Sequence, residues 1–108
     1  MEVFNELKDL KFMDITPFFK LMVDKNASDL FFTVGAPINI KVEGLINPVG
    51  KSPLTSDQSR EMAYSIMTDK QQREFEENLE LNMALSLQRL GRFRVNVFKQ
   101  KSEVAMVI

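Results

Sequence analysis

The segment Gly91-Arg92-Phe93-Arg94-Val95-Asn96-Val97-Phe98 holds the residues best suited to chemistry. Five cations (Arg89, Arg92, Arg94, Lys99 and Lys101) lie between Gln88 and Lys101, with no acid among them. Arg92 and Arg94 are two positions apart. On a strand they project from one face, about 6.5–7 Å apart along the backbone. Two guanidiniums on one face suit a phosphate group, because each offers forked donors and keeps its charge at any working pH. Phe93, Val95 and Val97 then face the opposite way, toward a core. The same pattern also describes the solvent side of an ordinary amphipathic strand, its arginines paired with the Glu74, Glu76, Glu77, Glu80 cluster. Residue physics alone leaves both open.

Other polar residues carry weaker signals. Asp29 follows Ser28 at a helix-to-strand junction and reads as an acceptor of backbone N–H groups in the turn, ahead of a catalytic carboxylate. The four glutamates scatter around a helix, which suits a solvated face better than a hard-metal site, so no metal ligands are assigned. Met22, Met62, Met67, Met83 and Met106 fall in phase with the core and read as filler. With no cysteine and no histidine, disulfides, thiolate or imidazole metal sites, cysteine nucleophiles and a Ser-His-Asp triad are excluded. The only glycines are Gly35, Gly44, Gly50 and Gly91, and they form neither a G-x-x-x-x-G-K-[ST] loop nor a G-x-G-x-x-G turn. No nucleophile has a base beside it, so no catalytic residue is assigned within these residues.

The elements that must position the arginine pair can be read from periodicity. The chain of 108 residues is one domain's worth of length. Its 44% apolar and 27% charged composition is that of a soluble globular domain, and its net charge of -1 argues against a general polyanion-binding surface. No apolar run approaches a membrane span, and the N-terminus lacks the basic and apolar regions of a signal peptide, so a cytoplasmic location is expected. Residues 1–12 stand apart and read as an N-terminal extension or cloning remnant ahead of a domain over residues 13–108.

Thr16-Pro17 predicts a helix start, with threonine as cap, and the helix runs to about Lys25. Period-two alternation then predicts strands over 29–34, 38–42 and 45–49, a meander whose last member carries Pro48 and belongs at an edge. Thr55-Ser56-Asp57-Gln58 and Thr68-Asp69-Lys70-Gln71 are capping boxes thirteen residues apart, predicting two short helices with a sharp bend between them. The second helix sets Phe75 and Leu79 on one face. Strands over 81–87, 93–98 and 103–108 follow, with turns at 88–91 and 100–102. The order α-βββ-αα-βββ predicts an α+β domain, with helices on one face of a mainly antiparallel sheet. Ending on apolar residues in mid-strand, the chain is expected to be a fragment of a longer polypeptide.

These pieces resemble the N-terminal region of the type IV pilus and type II secretion ATPases. Asn26-Ala27-Ser28-Asp29-Leu30-Phe31, running on to Gly35-Ala36-Pro37, resembles the family's "ASDL(H/F)…G.PP" segment. Lys41-Val42-Glu43-Gly44 is similar to "(R/K)V(D/N)G", and Pro53-Leu54-Thr55 to "PL(S/T)". The run from Ile66 to Phe75 is similar to "IM.(D/E).QR.EF", and Gly91-Arg92-Phe93-Arg94-Val95-Asn96 to "(G/A)RFRVN". The segments keep the family order from about Asp14 onward. The strongest likeness is to the twitching-motility retraction ATPases of the PilT/PilU branch, and Phe31, where PilT-type chains usually carry histidine, looks like the PilU type.

The resemblance implies a PAS-like N-terminal domain of a homohexameric P-loop ATPase, its RecA-like catalytic domain following Ile108. It implies ATP with magnesium, bound mainly by that catalytic domain, with Arg92 and Arg94 reaching the terminal phosphate. The resemblance further implies another arginine just past Ile108. Implied partners are the catalytic domain, neighbouring subunits, a related retraction ATPase and the inner-membrane pilus platform protein, at the cytoplasmic pilus base. Two other classes compete. A nucleic-acid-binding α+β module would use the aromatic-basic strand, but Phe93 and Phe98 point to opposite faces and the helix order is wrong for an RNA-recognition domain, so no nucleic acid is expected. A ligand-sensing PAS domain would lack haem ligands and flavin-reactive thiols.

Overall fold

The computed structural model describes residues 15–108, so the extension read over residues 1–12 lies outside the described residues. Three helices and six strands are described, in the order the periodicity predicts. They are α1 (Thr16–Lys25), β1 (Asp29–Phe32), β2 (Ile38–Val42), β3 (Leu45–Val49), α2 (Ser56–Ser65), α3 (Asp69–Asn78), β4 (Glu80–Leu87), β5 (Gly91–Gln100) and β6 (Glu103–Val107). The fold is α+β. All six strands pair antiparallel in one sheet of order β3-β2-β1-β6-β5-β4.

Both capping boxes form in full. The Thr55 hydroxyl accepts the Gln58 N–H at 3.1 Å, while the Gln58 side chain accepts the Thr55 N–H at 3.0 Å. Thr68 and Gln71 repeat the exchange at 3.1 and 2.9 Å. Each box satisfies two otherwise orphaned helix donors and fixes where its helix begins. The start of α1 departs from expectation. Ile15 occupies the cap position without any side-chain cap, and Thr16 is the first helical residue. Ile15 is buried, so apolar anchoring takes the place of a polar cap. At the far end Asn26 turns left-handed at φ 53°, a conformation its short amide side chain tolerates.

The helices lay their apolar stripes on one face of the sheet. Phe18 meets Phe32 edge-on at 5.8 Å, and Phe19 meets Phe93 at 4.6 Å, tying α1 to both halves of the sheet. Ser59, buried in α2, donates its hydroxyl to the Val104 carbonyl of β6. Met22, Met62, Met67, Met83 and Met106 are all buried, as their phase predicts. Phe75 is 0% exposed, but Leu79 is 51% exposed, because it caps α3 in a left-handed conformation at φ 61° and swings off the helical phase. Val34 also falls outside β1. It forms a lone parallel bridge with Leu54, and the Gly35 N–H bonds the Leu54 carbonyl at 2.9 Å, drawing the approach to α2 against the sheet. β3 is an outermost strand with Pro48 on it, as the missing donor requires.

The Tyr64 hydroxyl of α2 donates to the Glu76 carboxylate of α3 at 2.8 Å, with the Arg60 guanidinium 5.1 Å from the Tyr64 ring centre. Burial, followed by the hydrogen bond to Glu76, raises the phenol above its usual 10.0.

Two outcomes follow from this scaffold. Thr68→Ala and Thr55→Ala should each lower unfolding free energy by about 1 kcal/mol, read as a lower urea midpoint with unchanged m-value. Tyr64 holds its proton longer in the folded than in the unfolded chain, so its contribution is intact below 10.0 and is lost as pH rises through the folded-state value. Urea midpoints from about pH 8 to about pH 11 should therefore fall less steeply in Tyr64→Phe than in the parent.

Candidate functional site

β5 owes its orientation to its core side. Val95 and Val97 are fully buried, and Phe93 is held by the Phe19 ring. Strand alternation then sends Arg92, Arg94 and Asn96 to the opposite face, where both arginines are exposed and Asn96 is half-buried. Across the ladder on β4 these three stand opposite Ser86, Ala84 and Asn82. Short side chains beside both arginines leave the guanidiniums uncrowded.

Arg92 and Arg94 line one cleft of about 650 Å³, together with Asn96, Ser28 and Asp29. The cleft opens between β5 and the start of β1, and the last turn of α1 (Met22, Val23, Asn26) closes one end. Among the described residues neither arginine makes an ion pair or a side-chain hydrogen bond; the ion pair that does form is Lys20 with Asp24 at 2.8 Å. Pairing of the arginines with the Glu74, Glu76, Glu77, Glu80 cluster is thus not what the fold does. Those glutamates are exposed, and Glu76 receives Tyr64.

Asp29 differs from expectation. Its carboxylate accepts the Ser28 hydroxyl at 2.8 Å rather than a backbone N–H of the turn, because the Ser28 N–H is taken by the Lys41 carbonyl at 2.9 Å. The cleft is therefore cationic along β5 and carries one carboxylate near β1. That carboxylate is engaged by the Ser28 hydroxyl, while the arginines of β5 have no acidic partner among the described residues.

Asn96 was not singled out by residue type. Its side-chain oxygen is shut off from solvent and has no hydrogen-bond partner. The signal lay in the same period-two alternation that places Arg92 and Arg94, since Asn96 is the next residue on their face. Phe93 and Phe98 lie on opposite faces, Phe93 in the core and Phe98 across from Ala105, so no stacking platform of neighbouring aromatics forms on β5. Among the described residues no helix is long and apolar enough to cross a membrane.

No protein-family model matches the chain. It is 45% identical over 96 residues to the type IV pilus ATPase PilU of Pseudomonas aeruginosa, covering 89% of this chain and 25% of that protein. It is 39% identical over 88 residues to the type IV pilus retraction ATPase PilT of the same organism, covering 82% of this chain and 26% of that protein. The chain thus spans about a quarter of the length of these curated relatives. In structure it matches the pilus retraction motor PilT, solved with bound ADP, with a TM-score of 0.78 and 31% identity over 88% of this chain and 28% of that one. The ATPase DotB of Legionella pneumophila shares the fold, with a TM-score of 0.64 at 18% identity over 78% of this chain and 24% of that one. Sequence and fold agree that the chain belongs to the type IV pilus retraction ATPases, as an N-terminal piece nearer PilU than PilT.

Proposed function

We propose that residues 13–108 form the N-terminal domain of a hexameric retraction ATPase, supplying Arg92 and Arg94 to the terminal phosphate of ATP. The nucleotide and its magnesium ion are held mainly by a catalytic domain elsewhere in the full-length protein. The observation that carries this reading is the pair of exposed guanidiniums on one strand face, without an acidic partner among the described residues and lining a single cleft. Solvent-exposed arginines without acidic partners lose little by reorienting, and each brings a fixed charge and forked donors to a phosphate. Placed at a terminal phosphate, such charges act where negative charge redistributes during phosphoryl transfer.

The rest of the domain has a mechanical part in this reading. It packs against its own catalytic domain and against neighbouring subunits of the ring. Nucleotide-dependent rotation of the domains then becomes force on the inner-membrane platform protein at the cytoplasmic pilus base, in concert with a related retraction ATPase. Twitching motility is the cellular output.

In the full-length ATPase, Arg94→Ala should lower kcat by about a thousandfold, at the modest end of what an arginine at a transferring phosphoryl group contributes. Arg92→Ala should act in the same direction, and Arg94→Lys should recover only part of the loss, because a lysine restores charge without the fork. Steady-state hydrolysis assays with size-exclusion chromatography of the ring decide the matter. Near-wild-type turnover from an intact ring of Arg94→Ala refutes the arginine role. The 108-residue chain alone should hydrolyse no ATP above background.

A further inference from the structure

Two side-chain oxygens among the described residues are shut off from solvent without a hydrogen-bond partner, Glu61 Oε1 and Asn96 Oδ1. Asn96 alone of the two lines the arginine cleft. A buried acceptor left unpaired is costly, and native folds rarely keep one without a use. What the Asn96 oxygen lacks is a donor on its own face of β5.

The neighbours on that face narrow the choice. Val107 stands opposite on β6 and offers no side-chain donor, and Asn82, opposite on β4, forms no hydrogen bond to Asn96. Phe98, two positions on, is apolar. Arg92 is four positions back, about 13 Å along the strand, whereas Arg94 is two positions back, about 6.5–7 Å. An arginine side chain spans the shorter spacing with ease. A guanidinium has five N–H donors and no acceptor, so a fork engaged on phosphate still has donors to place.

We propose that Asn96 is a positioning residue for Arg94: its buried side-chain oxygen receives a spare Arg94 N–H when the guanidinium engages phosphate. This rests on the phosphate reading of Arg94. Before engagement, among the described residues, Arg94 is exposed and without an acidic partner and the Asn96 oxygen is unsatisfied. Engagement would satisfy both at once. The hydrogen bond then selects one rotamer of Arg94 out of the many open to an exposed side chain, and it aims the fork into the cleft.

The test is kinetic, in the full-length ATPase. Asn96→Leu, close in volume and without the acceptor, should lower kcat for ATP hydrolysis about tenfold with KM changed less than about twofold, as expected for losing one hydrogen bond to a charged group in the transition state. In an Arg94→Ala background the same substitution should add no further loss. In an Arg92→Ala background the full tenfold factor should reappear, since the coupling runs through Arg94. A purely structural role would not give this dependence on one arginine. Replacing an unpaired buried polar group with an apolar one of similar volume should leave the fold intact, checked by thermal unfolding, and Asn96→Ala should give the same kinetic pattern. Asn96→Leu turnover within twofold of wild type, or an undiminished loss on top of Arg94→Ala, overturns the assignment while leaving the phosphate role of Arg94 standing. Wild-type turnover in Arg94→Ala overturns both together.

Discussion

A single strand joins the two halves of the sheet. β3, β2 and β1 form a local meander, and β4 and β5 form a hairpin; only β6, pairing with β1 on one side and β5 on the other, connects them within the sheet. Leu30 and Ile108 exchange backbone hydrogen bonds at 2.9 Å each way, and Val97 and Met106 are paired on the buried face. Val104, Met106 and Ile108 are buried there beneath the helices. The candidate cleft depends on this junction, because its walls come from the start of β1 and from β5, whose separation is one strand's width set by β6. Phe18 and Phe19 of α1 reinforce the same junction from above by gripping Phe32 and Phe93.

This arrangement separates what must be constant from what is free to vary. The core face is closed by Phe19, Phe32, Phe75, Val95 and Val97, each almost fully buried, where a change in volume leaves a cavity or a clash. The open face carries Arg92, Arg94, Asn96 and also Phe31, which is half-buried opposite Asn39 and Val107. Phe31 therefore lies outside the core, where a change of side chain leaves the packing beneath the helices untouched. At the sheet's margin, Leu45 and Ile46 of β3 are 69% and 57% exposed, apolar groups on an uncharged edge strand.

Most of the architecture could be read from residues because local signals agreed with tertiary demands. The capping boxes at Thr55 and Thr68 carry their own geometry, and the alternation around Arg92 and Arg94 fixed both the buried and the open side of β5. Where the two kinds of signal diverged, burial prevailed. Ile15 displaced Thr16 as the helix boundary because the core takes its side chain, and Leu79 left the helical phase to close α3. Strand order was not legible, since period-two patterning shows which face a residue takes but not which strand lies beside it. Asn96 was missed for another reason: an unsatisfied oxygen is a property of three-dimensional surroundings and leaves no mark in composition. The hydroxyl partner of Asp29 likewise depended on where the Ser28 N–H was already committed.

The central place of β6 also bears on how the domain comes into being during synthesis. The strand that joins the sheet is made after the helices and all the other described strands, so the early meander waits with one long edge bare while the later residues emerge from the ribosome. Closure pairs Phe31 with Val107 across most of the length of the chain, a contact of high sequence separation of the kind that slows folding.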